Sequence, residues 1–284
     1  MSKRVLKWTL VLAVIAALLF FLSIQPRTDR NWSEEFSRTA TATTLSNGHI
    51  ALSNVRDWTY GNGTITSKEW RTVEVDPKAI KKVWFVTEPF SQWKAVGHTF
   101  LSFEFKDGTT LSFSIEARRE AGEDYSAIRG LFKSYELSYQ WGTERDFITR
   151  RMLYLDHPVR RYPLAITSTM SEALFRGSVN QTNELATRPR FYNTLTENCT
   201  NALAHIVNDL APKTLPYNIS WNLTGYADQY LMEQGFIKLV EGTQETTRNH
   251  FELTSYKDQV LKNATADPED FSAFLDSLLT VTMN

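Results

Sequence analysis

The stretch HTFLSFEFKDGTTLSFSIEA, residues 98–117, limits this chain more than any other part of it. Side chains alternate between the two faces of a strand, so apolar residues at every second position mark one face as core. Leu101, Phe103 and Phe105 on one arm and Leu111, Phe113 and Ile115 on the other are all odd-numbered. For both sets to share a face of an antiparallel hairpin, opposed residues must sum to an even number. That excludes a two-residue turn at Asp107-Gly108 and favours a three-residue loop with Gly108 in the left-handed conformation. With Phe105 paired to Thr109, His98 falls opposite Glu116 and Ser102 opposite Ser112. His98, Ser102, Ser112, Ser114 and Glu116 then share the second face.

Strand-like segments rich in β-branched and aromatic residues surround this hairpin: HIALSNVRDW, GTITSKEWRTVEV, KKVWFVTEP and YELSYQW. Helical patterns come later, in CTNALAHIVNDLA, where Pro212 is expected to end the helix, in GYADQYLMEQG and in DPEDFSAFLDSLLTV. Strands first and helices after predict an α+β domain, an antiparallel sheet packed on the helix that carries the cysteine.

Ahead of the strands, Lys3, Arg4 and Lys7 precede the run TLVLAVIAALLFFLSI, Thr9 to Ile24, which ends abruptly at Gln25 and Pro26. No small-x-small cleavage pattern follows the run, so residues 1–24 read as an uncleaved signal anchor with its positive end inside. Residues 25–46 are polar and aperiodic and read as a tether. Residues 47–284 form one extracytoplasmic domain. A net charge of −1 leaves no electrostatic footprint for nucleic acid.

Cys199 is the chain's only cysteine, in RFYNTLTENCTNALAH. A lone thiol in an exported protein is either a buried small hydrophobe or a reactive group, and a helix N-terminus favours thiolate. Cys199, Leu203, Ile206, Val207 and Leu210 form one stripe facing the sheet. His205 is rotated by roughly 240° from Cys199 and is a poor partner. Of the other histidines, His49, His98, His157 and His250, the hairpin register gives His98 a carboxylate neighbour, Glu116, an arrangement that would orient the ring and support imidazolium formation. Backbone N–H groups at the helix start, with the Asn198 side chain, are the expected oxyanion donors. Arg56, Arg118, Arg119 and Arg145 are candidates to recognise a substrate phosphate or carboxylate. No HExxH or paired Cys/His spacing calls for a metal, no cofactor is implied, and no G-x-S-x-G elbow is present.

The segments NVRDWTY, HTFLSFEF, SIEARREAGEDYSAIRGLFKSYELSYQWGTERDF and RPRFYNTLTENCTNALAH resemble, in that order, the periplasmic domain of bacterial lipoprotein intramolecular transacylases, the Lnb-type domain, over roughly residues 48–240. The resemblance implies a circularly permuted papain-like fold, akin to lecithin-retinol acyltransferase-like enzymes, with Cys199 as nucleophile and His98 as its base. Glu116 is the inferred third member. The expected protein is a single-pass protein of the bacterial inner membrane with a periplasmic thiol-dependent acyltransferase domain, acting on membrane lipid or lipoprotein acyl groups through a Cys thioester. A single anchor, without a further apolar run long enough to span, is where the chain departs from the transacylases. A cysteine amidase or hydrolase of the envelope, and a non-catalytic binding module of the same fold, are the alternatives.

Overall fold

The computed structural model describes residues 3–210 and 214–280. Helix α1 (Lys3–Ser23) has no buried residue and is long and apolar enough to cross a membrane. The strands follow: β1 (Thr41–Thr44), β2 (Ile50–Arg56), β3 (Thr59–Gly61), β4 (Thr64–Ser67), β5 (Trp70–Val75), β6 (Ile80–Glu88), β7 (His98–Phe105), β8 (Thr110–Arg118) and β9 (Glu136–Thr143). Helix α2 (Glu144–Thr149) runs into a single π-helical turn, Arg150–Tyr154, and strand β10 (Arg160–Pro163) precedes the helical half. That half holds α3 (Ser168–Thr187), α4 (Cys199–Leu210), α5 (Ala227–Glu233), α6 (Gln244–His250), α7 (Lys257–Asn263) and α8 (Pro268–Thr280). The expected stop at Pro212 lies outside the described residues.

The α+β class holds, with two corrections. The main sheet runs β1-β2-β9-β8-β7-β6-β10 with β5 on β2, and it is mixed rather than wholly antiparallel, because β2 meets β9 in parallel at Arg56 and Gly142. Residues 25–46 are not a tether. Thr41–Thr44 pair along β2, Phe36 and Ala40 are buried, and the Arg118 guanidinium grips the Phe36 carbonyl. A polar, β-branched stretch satisfies its backbone on a sheet edge and needs few apolar side chains to do so.

The hairpin of β7 and β8 has the expected register. Leu101 opposes Phe113 and Ser102 opposes Ser112, the N–H of Phe105 donates to the Thr109 carbonyl, and Gly108 sits at φ +95°. Both faces of the hairpin are covered. Helix α3 lies on the odd-numbered face, where the Phe103 and Phe175 rings meet edge to face with centroids 5.1 Å apart. Helix α2 covers the even-numbered face, with Phe100 against Phe147 at 5.6 Å. Helix α4 packs on β7 and β8 with Cys199, Leu203 and Ile206 buried and Leu210 exposed.

Candidate active site

The hairpin register brings His98 and Glu116 together. His98 Nε2 lies 3.1 Å from Glu116 Oε1 and 2.7 Å from Ser114 Oγ. The Ser114 hydroxyl donates to Glu116 Oε1 at 2.7 Å, so its oxygen accepts the Nε2 proton and the ring is held from that side by both groups. Glu116 in turn accepts from Arg151, whose buried guanidinium also donates to Glu88. Burial alone would raise the Glu116 carboxyl, but the His98 ring and then Arg151 hold it well below the ordinary range.

Cys199 is the first residue of α4 and is buried. Asn198 sets that helix start: its Oδ1 accepts from the N–H groups of Thr200 and Asn201, a side-chain N-cap. Burial pushes the thiol up, yet the nearby His98 ring and then Thr99 bring it below its usual value. The ring feels the converse. Burial disfavours its charged form, but the Glu116 carboxylate and the Cys199 sulfur outweigh this and push it up to about 10. With Nε2 engaged by Ser114 and Glu116, the nitrogen left for the sulfur is Nδ1.

Asn198 is not free to act as an oxyanion donor. Both of its amide hydrogens are spent, on the Thr194 and Trp221 carbonyls at 2.9 and 3.0 Å. Since Thr200 and Asn201 donate to the cap, the N–H of Cys199 itself is the donor left at the helix start.

These groups open into a cleft of about 280 Å³. Its lining combines apolar Phe90, Val96, Leu195 and Leu223 with Arg119, Arg150, Arg151 and His157, whose ring meets Phe90. Of the four arginines expected to bind substrate, three are committed elsewhere. Arg56 is buried in a bidentate pair with Asp146, Arg145 bonds Asp57 and the Ala266 carbonyl, and Arg118 holds Phe36. Arg119 alone of the four lines the cleft, paired with Glu35 at 2.7 Å. The remaining histidines stand apart from the thiol. His49 pairs with Glu74 at the surface, exposed His205 meets the Trp221 ring, and His250 meets Phe251.

Reading the residues in order missed Ser114 as a bridge, Arg151, and the pair of His157 Nδ1 and Glu88 Oε1 at 2.6 Å. Glu88 sits directly opposite His98 on the neighbouring strand. The nine residues between those strands hold no turn signal that would have set this register. Arg151 belongs to a π-helical turn, a local irregularity found often at functional sites and invisible to a period-3.6 reading.

No curated protein and no solved structure matches this chain. Residues 66–224 match the family described as the Lnb N-terminal periplasmic domain, a narrower span than the resemblance read from the segments, and one that contains His98, Glu116, Asn198 and Cys199. That domain and the one helix among the described residues that is able to cross a membrane fit a single-pass membrane protein of the cell envelope. More than half of the chain lies within this match, and the chain belongs to the Lnb N-terminal periplasmic domain family.

Proposed function

We propose that this protein is a thiol-dependent acyltransferase of the periplasm, held at the inner membrane by α1, with Cys199 as nucleophile, His98 as general base and acid, and Glu116 orienting the ring. The observation that carries this reading is the convergence of the Cys199 thiol and the His98 ring, itself bonded to Ser114 and Glu116, on one cleft large enough for a substrate. The order His98 before Cys199, with the nucleophile at the start of a helix packed on antiparallel strands, supports a circularly permuted papain-like fold.

In this mechanism the proton of the thiol passes to His98, and the thiolate attacks an ester or amide carbonyl carbon. The N–H of Cys199 donates to the oxyanion. Collapse breaks the bond to the alcohol or amine, which leaves with the proton from the imidazolium, and a thioester remains on Sγ. An acceptor amine then gives its proton to His98, attacks the thioester and releases the thiolate. The membrane helix favours a lipid or lipoprotein as acyl donor. Mass spectrometry of the protein extracted from membranes tests the reading. An acyl adduct on Cys199, removed by hydroxylamine and lost in His98→Ala, is expected. A Cys199 that carries no acyl group and resists alkylation until the protein unfolds would leave a non-catalytic binding module.

A further inference from the structure

The end of α1 and the cleft lie at the same end of the sheet. Lys133 Nζ donates to the carbonyls of Phe21 and Ile24, each at 3.1 Å, and lies over the Phe21 ring. A cation on the last carbonyls of a helix satisfies groups that have no partner within it and complements its dipole. The end of α1 is therefore fastened to the segment just before β9. At 21 residues the helix is about 31 Å long, matching a hydrocarbon core of about 30 Å, so its fastened end marks the level of the bilayer surface.

The catalytic groups lie at the same end of the sheet. Arg118 of β8 opposes Glu136 of β9, which accepts from the Arg27 N–H just beyond α1. Glu116 is two residues from Arg118, and His98 stands beside it at the start of β7. The Lys106–Gly108 loop closes the opposite end of the hairpin, about 26 Å further along the strands.

Four loops form the rim of the cleft and are stitched to one another. The Thr194 N–H donates to the Gly130 carbonyl, Asn222 bonds the Leu195 carbonyl, and the Gly225 N–H donates to the Ala95 carbonyl. Outside α1, eleven large apolar or aromatic side chains are exposed among the described residues, and seven of them stand on these four loops. Trp93 is 76 % exposed, Ile128 71 %, Tyr217 70 %, Phe132 60 % and Ile219 59 %. Phe132 is adjacent to the lysine that holds α1. A concentration of exposed apolar groups marks a contact surface, and Trp and Tyr among them suit a lipid headgroup region.

We infer that the cleft rim docks on the outer surface of the bilayer that α1 crosses, with Trp93, Ile128, Phe132, Tyr217 and Ile219 in the interface, so that the cleft opens toward lipid. The inference extends the proposed function by naming the side from which an acyl donor enters, and its test requires no turnover. The full-length protein in the Cys199→Ser background, with Ile128→Cys, Ile219→Cys or Asp107→Cys, is spin-labelled and reconstituted in vesicles of phosphatidylethanolamine and phosphatidylglycerol. Collision with oxygen, which concentrates in lipid, is compared with collision with a water-soluble nickel chelate. Labels at 128 and 219 are expected to shift toward oxygen relative to the same proteins in detergent-free amphipol, while the label at 107 keeps its aqueous ratio. Aqueous ratios at 128 or 219 overturn docking, as does shielding from both reagents, which indicates a protein partner on the rim. A failure here leaves the thiol chemistry untouched, since acylation of Cys199 is read separately.

Discussion

Replacing Glu116 with Gln keeps the side-chain shape and removes one charge from beside the imidazole. Unit charges at the observed 3.1 Å interact by about 5 kcal/mol at an effective dielectric of 20. The Gln amide keeps a hydrogen bond to the ring, and water in the cleft recovers part of the loss, so roughly half, about 2–3 kcal/mol, should remain. Arg151 then stands near the ring with one carboxylate fewer to offset it, which acts in the same direction. The sign follows from the pair. Losing the carboxylate destabilises imidazolium, lowers His98 from about 10, and shifts the balance from thiolate–imidazolium toward neutral thiol and neutral imidazole. About 2–3 kcal/mol corresponds to about two pKa units in the balance of the pair, so alkylation of Cys199 by iodoacetamide at pH 7 should slow, by up to about 30- to 100-fold. The thiol then moves back up toward its ordinary range, and the rate should climb back toward wild type as the pH rises. A Glu116→Gln protein that alkylates at the wild-type rate at pH 7, or that is slowed equally at every pH, would refute the electrostatic role of this carboxylate.

The thiol and imidazole should behave as one unit: Cys199→Ala and His98→Ala each abolish turnover of an activated ester, and the double variant is no slower than either. A double variant far below both singles contradicts the shared mechanism. Arg56→Ala leaves the fully buried Asp146 carboxylate without its bidentate partner, and chemical denaturation should register a loss of about 3–5 kcal/mol. An unchanged midpoint with weaker substrate binding would instead restore Arg56 as a recognition residue. Gly225→Ala puts a Cβ 2.0 Å from the Lys94 carbonyl oxygen, so two rim loops must separate at a cost of about 1–3 kcal/mol, seen as a lower melting temperature and faster alkylation of Cys199. Protein recovered from membranes should retain residues 9–24, and a soluble form beginning after Ile24 would show that α1 is removed.

What was legible in the sequence was local. The odd-numbered apolar positions of β7 and β8 carry their own register, because in a two-sided ribbon a slip by one residue exchanges the faces. His98 and Glu116 were thereby placed together from nineteen residues of text. Asn198 was legible as a helix start for a similar reason, but its amide was not. Its oxygen caps residues two and three ahead, whereas one of its hydrogens reaches Trp221, 23 positions on. The arginines failed more completely. Arg56 meets Asp146 across 90 residues and Arg145 meets Asp57 across 88, two ion pairs that lock β2 and the loop after it to α2. Nothing within hydrogen-bond reach along the chain distinguishes these from a solvent-exposed arginine.

The same limit explains the cleft wall. The signal for an amphipathic helix is apolar periodicity, and α2 with the π-turn after it reads ERDFITRRMLY, a charged stretch that is nonetheless mostly buried. Its charges are taken out of water because each meets an opposite charge brought by another element: Arg161 for Glu144, Arg56 for Asp146, Glu35 for Arg150, Glu88 and Glu116 for Arg151. Pairs of this kind add little net stability over apolar residues of the same size, but they are costly to break, so they fix one arrangement of the elements they join. Arg151 is where that arrangement reaches the chemistry. It ties Glu88 on β6 and Glu116 on β8 to the strand between them, whose first residue is His98. The ring is thus oriented by a carboxylate that is itself held in place by a buried cation, and the rigidity of the site derives from the part of the sequence least readable as core.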